Sequence, residues 1–127
     1  MRIIVFVLAL GAVAAVARPA AAVAQPAVAA DVEHGRQLFV ACAACHSDRP
    51  DALGPSLKGV VGRKAGARED FRYSGPMQRA GFTWDAANLR EYLADPQAKV
   101  RGNRMPFSGL SDAKDLDDVV AYLATLK

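Results

Sequence analysis

The sequence predicts an all-α domain of three main helices joined by long loops. Three observations carry this. Apolar residues recur at helical spacing in three separate segments. No alternation of apolar and polar residues lasts long enough for a strand. Two long irregular stretches separate the helices: residues 47–66 with four glycines and residues 97–109 with two. Loops of that length in a small domain point to a wrapping role, and a domain built this way needs a covalent or cofactor staple.

The N-terminus stands apart. Met1 and Arg2 precede an uncharged apolar run from Ile3 to Ala17, followed by small residues and prolines with several A-x-A sites. This is the pattern of a secretory signal peptide over residues 1–24, with cleavage after Ala24 and with Ala17 and Ala29 as competing sites. The alternative is an uncleaved anchor, but fifteen apolar residues fall short of the ~20 that a span needs. Residues 25–30 then form a flexible start, and residues 31–127 one domain. Without Arg2 and Arg18 the chain carries 14 Lys and Arg against 13 Asp and Glu, so its formal charge drops from +3 to +1. Net charge therefore argues against nucleic acid. Residues 58–104 hold ten cations against five anions and form a candidate docking surface, whereas residues 111–118 hold four anions and one cation.

The first helix begins at Asp31, an N-cap with Glu33 in the first turn, and its apolar face runs Val32, Gly35, Phe39, Cys42. Gly35 in mid-helix costs ~1 kcal/mol relative to alanine. It suits close approach of another helix, with the C-terminal one as the candidate. The second helix starts from Thr83 or Trp84, carries Leu89, Tyr92 and Leu93 on one face, and stops at Asp95-Pro96. The third starts from Ser111 as N-cap, with Asp112 and Asp115 behind it. Its stripe is Leu116, Val119, Val120, Leu123 and Leu126.

The stretch "ACAACHS", residues 41–47, holds both cysteines and one of two histidines. Export to an oxidising compartment would ordinarily turn two cysteines into a disulfide, but a bridge closing a two-residue gap constrains little chain. A thioredoxin-like pair sits beside a βαβ pattern, which is absent, and a structural zinc site wants four ligands that this chain cannot spread. Cys42-Ala-Ala-Cys45-His46 fits c-type haem attachment. Two thiols add to two vinyl groups, and His46 follows in position to reach the iron. One covalently attached haem c, with its iron, also supplies the apolar core that three helices and two loops lack. The sixth iron position has three candidates. His34 lies on the helix that carries the attachment motif, so the opposite face is out of its reach. Met77 in "YSGPMQ" could equally be core filler. Met105 in "RGNRMPFSG" lies on a glycine-containing loop that can fold over the far face, and the residues favour it.

Several motifs in order, "DVEHGRQLF", "CAACH", "GPSLKGVVGRKAG", "FRYS", "LREYLADP", "GNRMPFSGL" and "DLDDVVAYLATLK", span residues 31–127. Over this span the chain resembles a small soluble class I cytochrome c, of the bacterial type closest to mitochondrial cytochrome c. The resemblance implies His46 as proximal ligand, its other ring nitrogen donating to the Pro55 carbonyl. It implies Met105 as distal ligand with the Tyr92 hydroxyl near its sulfur, Arg63, Tyr73, Ser74 and Trp84 beside the haem propionates, and Phe107 over the haem edge. It also crosses Gly35 and Phe39 with Val119 and Tyr122. Two departures stand out: Asn103 where threonine is common, and Arg101 where proline is frequent. The implied function is a periplasmic carrier of single electrons, not an enzyme and a monomer, without nucleic-acid binding or stable membrane insertion. Its redox partners would be of the kind of a cytochrome bc complex and a terminal oxidase, reductase or photosynthetic reaction centre. The rivals are an electron-transfer subunit of an oxidoreductase complex and a gas-binding haem protein. Gas binders of the four-helix haem class carry C-x-x-C-H near the C-terminus, which disfavours the latter.

Overall fold

A computed structural model describes residues 29–127. The expected signal peptide and its cleavage site lie outside the described residues, and no helix within them is long and apolar enough to cross a membrane. Five helices follow in order: α1 Val32–Ala43, α2 Gly75–Gln78, α3 Ala86–Ala94, α4 Pro96–Lys99 and α5 Ala113–Leu123. The three long ones are those the periodicity predicts. The single turns α2 and α4 escaped it because four residues make no repeat. Each is announced instead by a cap followed by proline: Ser74 before Gly75-Pro76, and Asp95 before Pro96. Among the described residues the β-type pairing is one isolated bridge between Lys64 and Thr83.

Caps decide where the helices begin, and two starts differ from expectation. Asp31 accepts from the amides of Glu33 and His34 at 3.0 and 3.1 Å, as its sequence context requires. The third helix is capped by Asp112, which accepts from Lys114 and Asp115, and not by Ser111. A carboxylate at the positive end of a helix outcompetes the neutral hydroxyl beside it. The second helix begins after Asp85, not at Thr83 or Trp84. Trp84 is committed elsewhere: its amide donates to Arg63 at 2.8 Å and its carbonyl accepts from Gly62 at 2.9 Å. That pairing ties the second helix to the long first loop.

α1 crosses α5, and α3 packs against α5. Leu89, Tyr92 and Leu93 of α3 bury against Leu116, Val119, Val120 and Leu123 of α5. At the crossing, a Cβ on Gly35 would sit well inside van der Waals contact with the Asp118 carbonyl oxygen, and 3.0 Å from the Tyr122 Cβ. The Phe39 and Tyr122 rings meet with centroids 5.1 Å apart. Gly35→Ala gains ~1 kcal/mol of helix propensity but forces two backbones apart, and overpacking of this kind costs about 1–3 kcal/mol. Since the obstructing atom is backbone, the clash wins. Thermal unfolding should show a midpoint several degrees lower; an unchanged or raised midpoint would mean that the helices do not need this glycine.

The same crossing corrects one expectation. His34 is half-buried there, and its Nδ1–H donates to the Asp118 carboxylate at 2.7 Å. Asp118, counted among the anions at the start of α5, has a side chain with no exposure at all. It also accepts from the Asp31 amide at 2.7 Å and from the Lys114 ammonium. Lys114 first, then the Asp31 amide, hold its carboxyl well below the usual carboxylate range. Asp118 is a staple between the terminal helices, not part of a surface pole.

Candidate haem site

The three long helices and both long loops enclose a cavity of about 630 Å³. All eleven residues singled out from the sequence line it. His34 does not, while Met77 does.

The attachment segment is positioned by the end of α1. The amides of Cys45 and His46 both donate to the Cys42 carbonyl, at 3.1 and 2.9 Å. This turn carries the chain from one half-buried, free thiol to the other and delivers His46 immediately afterwards. Burial, and then the neighbouring Cys45, push the Cys42 thiol up. The His46 Nδ1–H donates to the Pro55 carbonyl at 2.7 Å, which leaves the Nε2 lone pair for a metal. Burial pulls the imidazole pKa down, with the Pro55 bond opposing. A neutral ring with one anchored nitrogen is the form that ligates.

Gly54 belongs to this site and was missed from the sequence. A Cβ there would lie 2.6 Å from the His46 ring, and the Gly54 amide donates to the Cys45 carbonyl at 2.9 Å. The available signal was its place directly before Pro55 in "LGPSL".

Across the cavity wall the Tyr92 hydroxyl donates to the Met105 sulfur at 3.6 Å, a length that the larger radius of sulfur allows. Burial pushes the Tyr92 phenol up to about 12, so it is a neutral donor throughout the physiological range. Met77 is buried on α2 beneath the Ser74 cap. Lining alone does not separate the two methionines; the hydroxyl aimed at Met105 does favour it. Asn103, flagged as a departure, is buried and bonded to the Met105 amide at 2.9 Å.

The remaining residues make the aromatic and polar walls. Trp84 is buried with edge-on contacts to Phe82 and Tyr92, centroids 4.8 and 5.0 Å apart. The Arg63 guanidinium donates to the carbonyls of Lys58 at 2.9 Å and Ser56 at 3.1 Å, and burial pulls its pKa down. Burial raises the Tyr73 phenol, which therefore also stays a donor. Ser74 accepts from the Met77 amide at 3.3 Å, and Phe107 is half-buried. The wall thus offers two thiols, one imidazole nitrogen, two thioethers, aromatic faces and three guanidinium groups. That set fits a flat apolar macrocycle with two acidic arms, within the ~300–1,000 Å³ of ordinary ligand cavities.

The cations of the candidate docking surface, residues 58–104, are partly committed. Lys58 pairs with Asp48 at 2.6 Å, and Lys99 pairs with Glu91 and lies 5.0 Å from the Phe82 ring centroid. Arg104 and Arg72, from the same basic segment, do line the cavity, and the Arg104 guanidinium donates to the Arg72 carbonyl. That bond joins the methionine loop to the segment carrying Tyr73.

A family model described as cytochrome c matches residues 32–127. The chain is 46% identical over 102 residues to the cytochrome c2 of Rhodoblastus acidophilus, covering 78% of this chain and 95% of that protein. Its identity to the cytochrome c2 of Blastochloris viridis is 43% over 106 residues, 81% of this chain and 84% of the relative. Among solved structures, cytochrome cH from Methylobacterium extorquens superposes with a TM-score of 0.71 at 46% identity, covering 75% of this chain and 98% of that one.

Proposed function

The chain belongs to the cytochrome c family, carries one covalently attached haem c and transfers electrons, and from that premise we propose how its residues do so. Cys42 and Cys45 supply the two thioether sulfurs, His46 the nitrogen ligand and Met105 the sulfur ligand. When bound, the haem supplies an iron that alternates between the ferrous and ferric states. The Pro55 carbonyl fixes the His46 tautomer and ring plane. The Tyr92 hydroxyl orients the Met105 sulfur, a soft ligand that favours the reduced metal and raises the potential. Arg63, Tyr73, Ser74 and Trp84 would supply donors to the haem propionates, whose charge needs them once removed from water. Phe107 would shield the haem from solvent.

His46 and Met105 would both hold the iron and would leave it no open site for a substrate, which suits a carrier and not an enzyme. It works in the periplasm after loss of residues 1–24, as a monomer. The observation that supports this reading best is the pairing of two anchored ligands on one cavity: His46 on Pro55 and Met105 under Tyr92. Optical spectra of the purified protein test it. Reduced protein should show low-spin bands that carbon monoxide leaves unchanged; ready binding of carbon monoxide would indicate an open position and a gas-binding role.

Its partners are redox proteins, of the kind of a cytochrome bc complex on one side and a terminal oxidase, reductase or photosynthetic reaction centre on the other. Arg72 and Arg104 at the rim suit an acidic partner surface. Such charges steer encounter, and their reach shrinks to ~8 Å at physiological salt. Rates with an acidic partner should therefore fall as salt rises, and Arg72→Glu should slow them more than Lys127→Glu at the chain end. Rates indifferent to ionic strength would remove the steering. A complex that survives high salt and gel filtration would replace the mobile carrier with a permanent subunit.

A further inference from the structure

Asn103 is 8% exposed, and both ends of its carboxamide are in use. Nδ2 donates to the carbonyls of Pro96 at 2.8 Å and Val100 at 2.9 Å, the two ends of the α4 turn. Oδ1 accepts from the backbone N–H of Met105 at 2.9 Å. The Met105 carbonyl in turn accepts from the Phe107 amide at 2.9 Å. Both polar groups of the Met105 backbone are thus held, one by a buried side chain and one by the following residues.

We propose that Asn103 is the positioning residue for the sixth iron ligand: its carboxamide ties the Met105 amide to α4 and sets how readily an outside ligand displaces the Met105 sulfur. The inference rests on Met105 being the axial ligand. Displacement requires the 101–107 segment to move, and movement breaks the bond between Met105 and Asn103. The two carbonyls under Nδ2 have other donors: Pro96 also accepts from the Val100 amide at 3.0 Å, and Val100 from the Asn103 amide at 3.1 Å. Removing the carboxamide therefore spares α4 and strips the Met105 N–H of its acceptor. The loosening is local to the ligand, and the helices stay in place. Threonine, common at this position among relatives by resemblance, is too short to span from α4 to the Met105 amide with three bonds at once.

The test is an imidazole titration of the oxidised holoprotein, followed by loss of the far-red sulfur-to-iron charge-transfer band. Asn103→Ala should bind imidazole about ten- to a hundredfold more tightly, the factor expected for losing a small set of buried hydrogen bonds. Its far-red band should also fade on heating well before the helices melt. Val120→Ala serves as comparator, since it removes buried volume on α5 away from the cavity wall. It should lower the melting temperature yet leave imidazole affinity within about twofold, as distant sites do. Asn103→Leu keeps the branched shape and removes the same three bonds, so it carries the same test if the alanine chain fails to assemble. Imidazole affinity within about twofold of the parent in whichever of the two assembles, or an equal rise in Val120→Ala, would overturn the proposal. Met105→Ala separates the two readings. If that variant retains the far-red band, Met105 is not the ligand; if it loses the band while Asn103→Ala behaves as the parent, only the role of Asn103 fails.

Discussion

A chain carrying both Cys42→Ser and Cys45→Ser is expected to hold no covalent haem and to stay largely unfolded. The cavity that these thiols border measures about 630 Å³ and is walled by the residues that also form the core, Trp84, Tyr92, Leu89 and Val119 among them. Without haem this space, open to solvent on one side, leaves the apolar faces of those core residues wet, and each Å² so exposed forgoes about 25 cal/mol of burial. A domain of this size has only about 5–15 kcal/mol of stability in total. Relaxation of the walls lowers the cost but does so by abandoning the fold, since α1 and α3 reach each other only through α5. Far-ultraviolet circular dichroism of the double variant should therefore show little helix and no cooperative melting. In the parent, acid–acetone extraction should leave the haem on the polypeptide, and its mass should include one haem. Native-like helix in the double variant, or colour that extracts freely from the parent, would remove covalent haem as the organising element of this fold.

Met105→Ala should abolish the far-red band, lower the reduction potential and let carbon monoxide bind the reduced protein. The thioether is the softer of the two axial ligands, and its loss leaves the position to water or an outside ligand. The drop should be a sizeable part of the roughly 0.8 V over which axial ligands set haem potentials. Met77→Ala provides the contrast. Met77 is 7% exposed and lines the same cavity, so truncating it should cost about 2–5 kcal/mol of stability while keeping the band. His34→Ala should keep it too, because His34 is turned to Asp118 at the helix crossing. Loss of the band in Met77→Ala with retention in Met105→Ala would exchange the roles of the two methionines.

Local chemistry that sits in consecutive residues was legible from the chain alone. The C-x-x-C-H motif needs only the turn after α1 to bring its three side chains together, and that turn closes on one carbonyl, Cys42. The long helices were legible because each buries one face, which imposes a repeat of about 3.6 residues. Gly35 was legible for the opposite reason: a glycine on an apolar helical face has a cost that only a close neighbour offsets. Asp31 was legible as a cap because capping involves residues two and three positions away.

Everything that depended on partners far along the chain was settled by the tertiary structure. Trp84 looked helical until its backbone paired with residues 62 and 63. Asp118 looked like one more anion heading α5, but His34, 84 positions away, meets it in the crossing of α1 and α5. Gly54 carried no periodic signal, since what it accommodates is the His46 ring folded back on the same loop. Asn103 looked like a departure from the family pattern and turned out to be the link between α4 and the Met105 amide. Lys58 and Lys99 looked available to a partner and are paired with Asp48 and Glu91. The division has one physical cause. Covalent spacing and helical period place residues relative to their near neighbours, so motif, caps and faces are written in order along the chain. Burial, ion pairing and the fit of a backbone around a side chain arise only between segments, and their energies are decided by which surfaces the fold presses together.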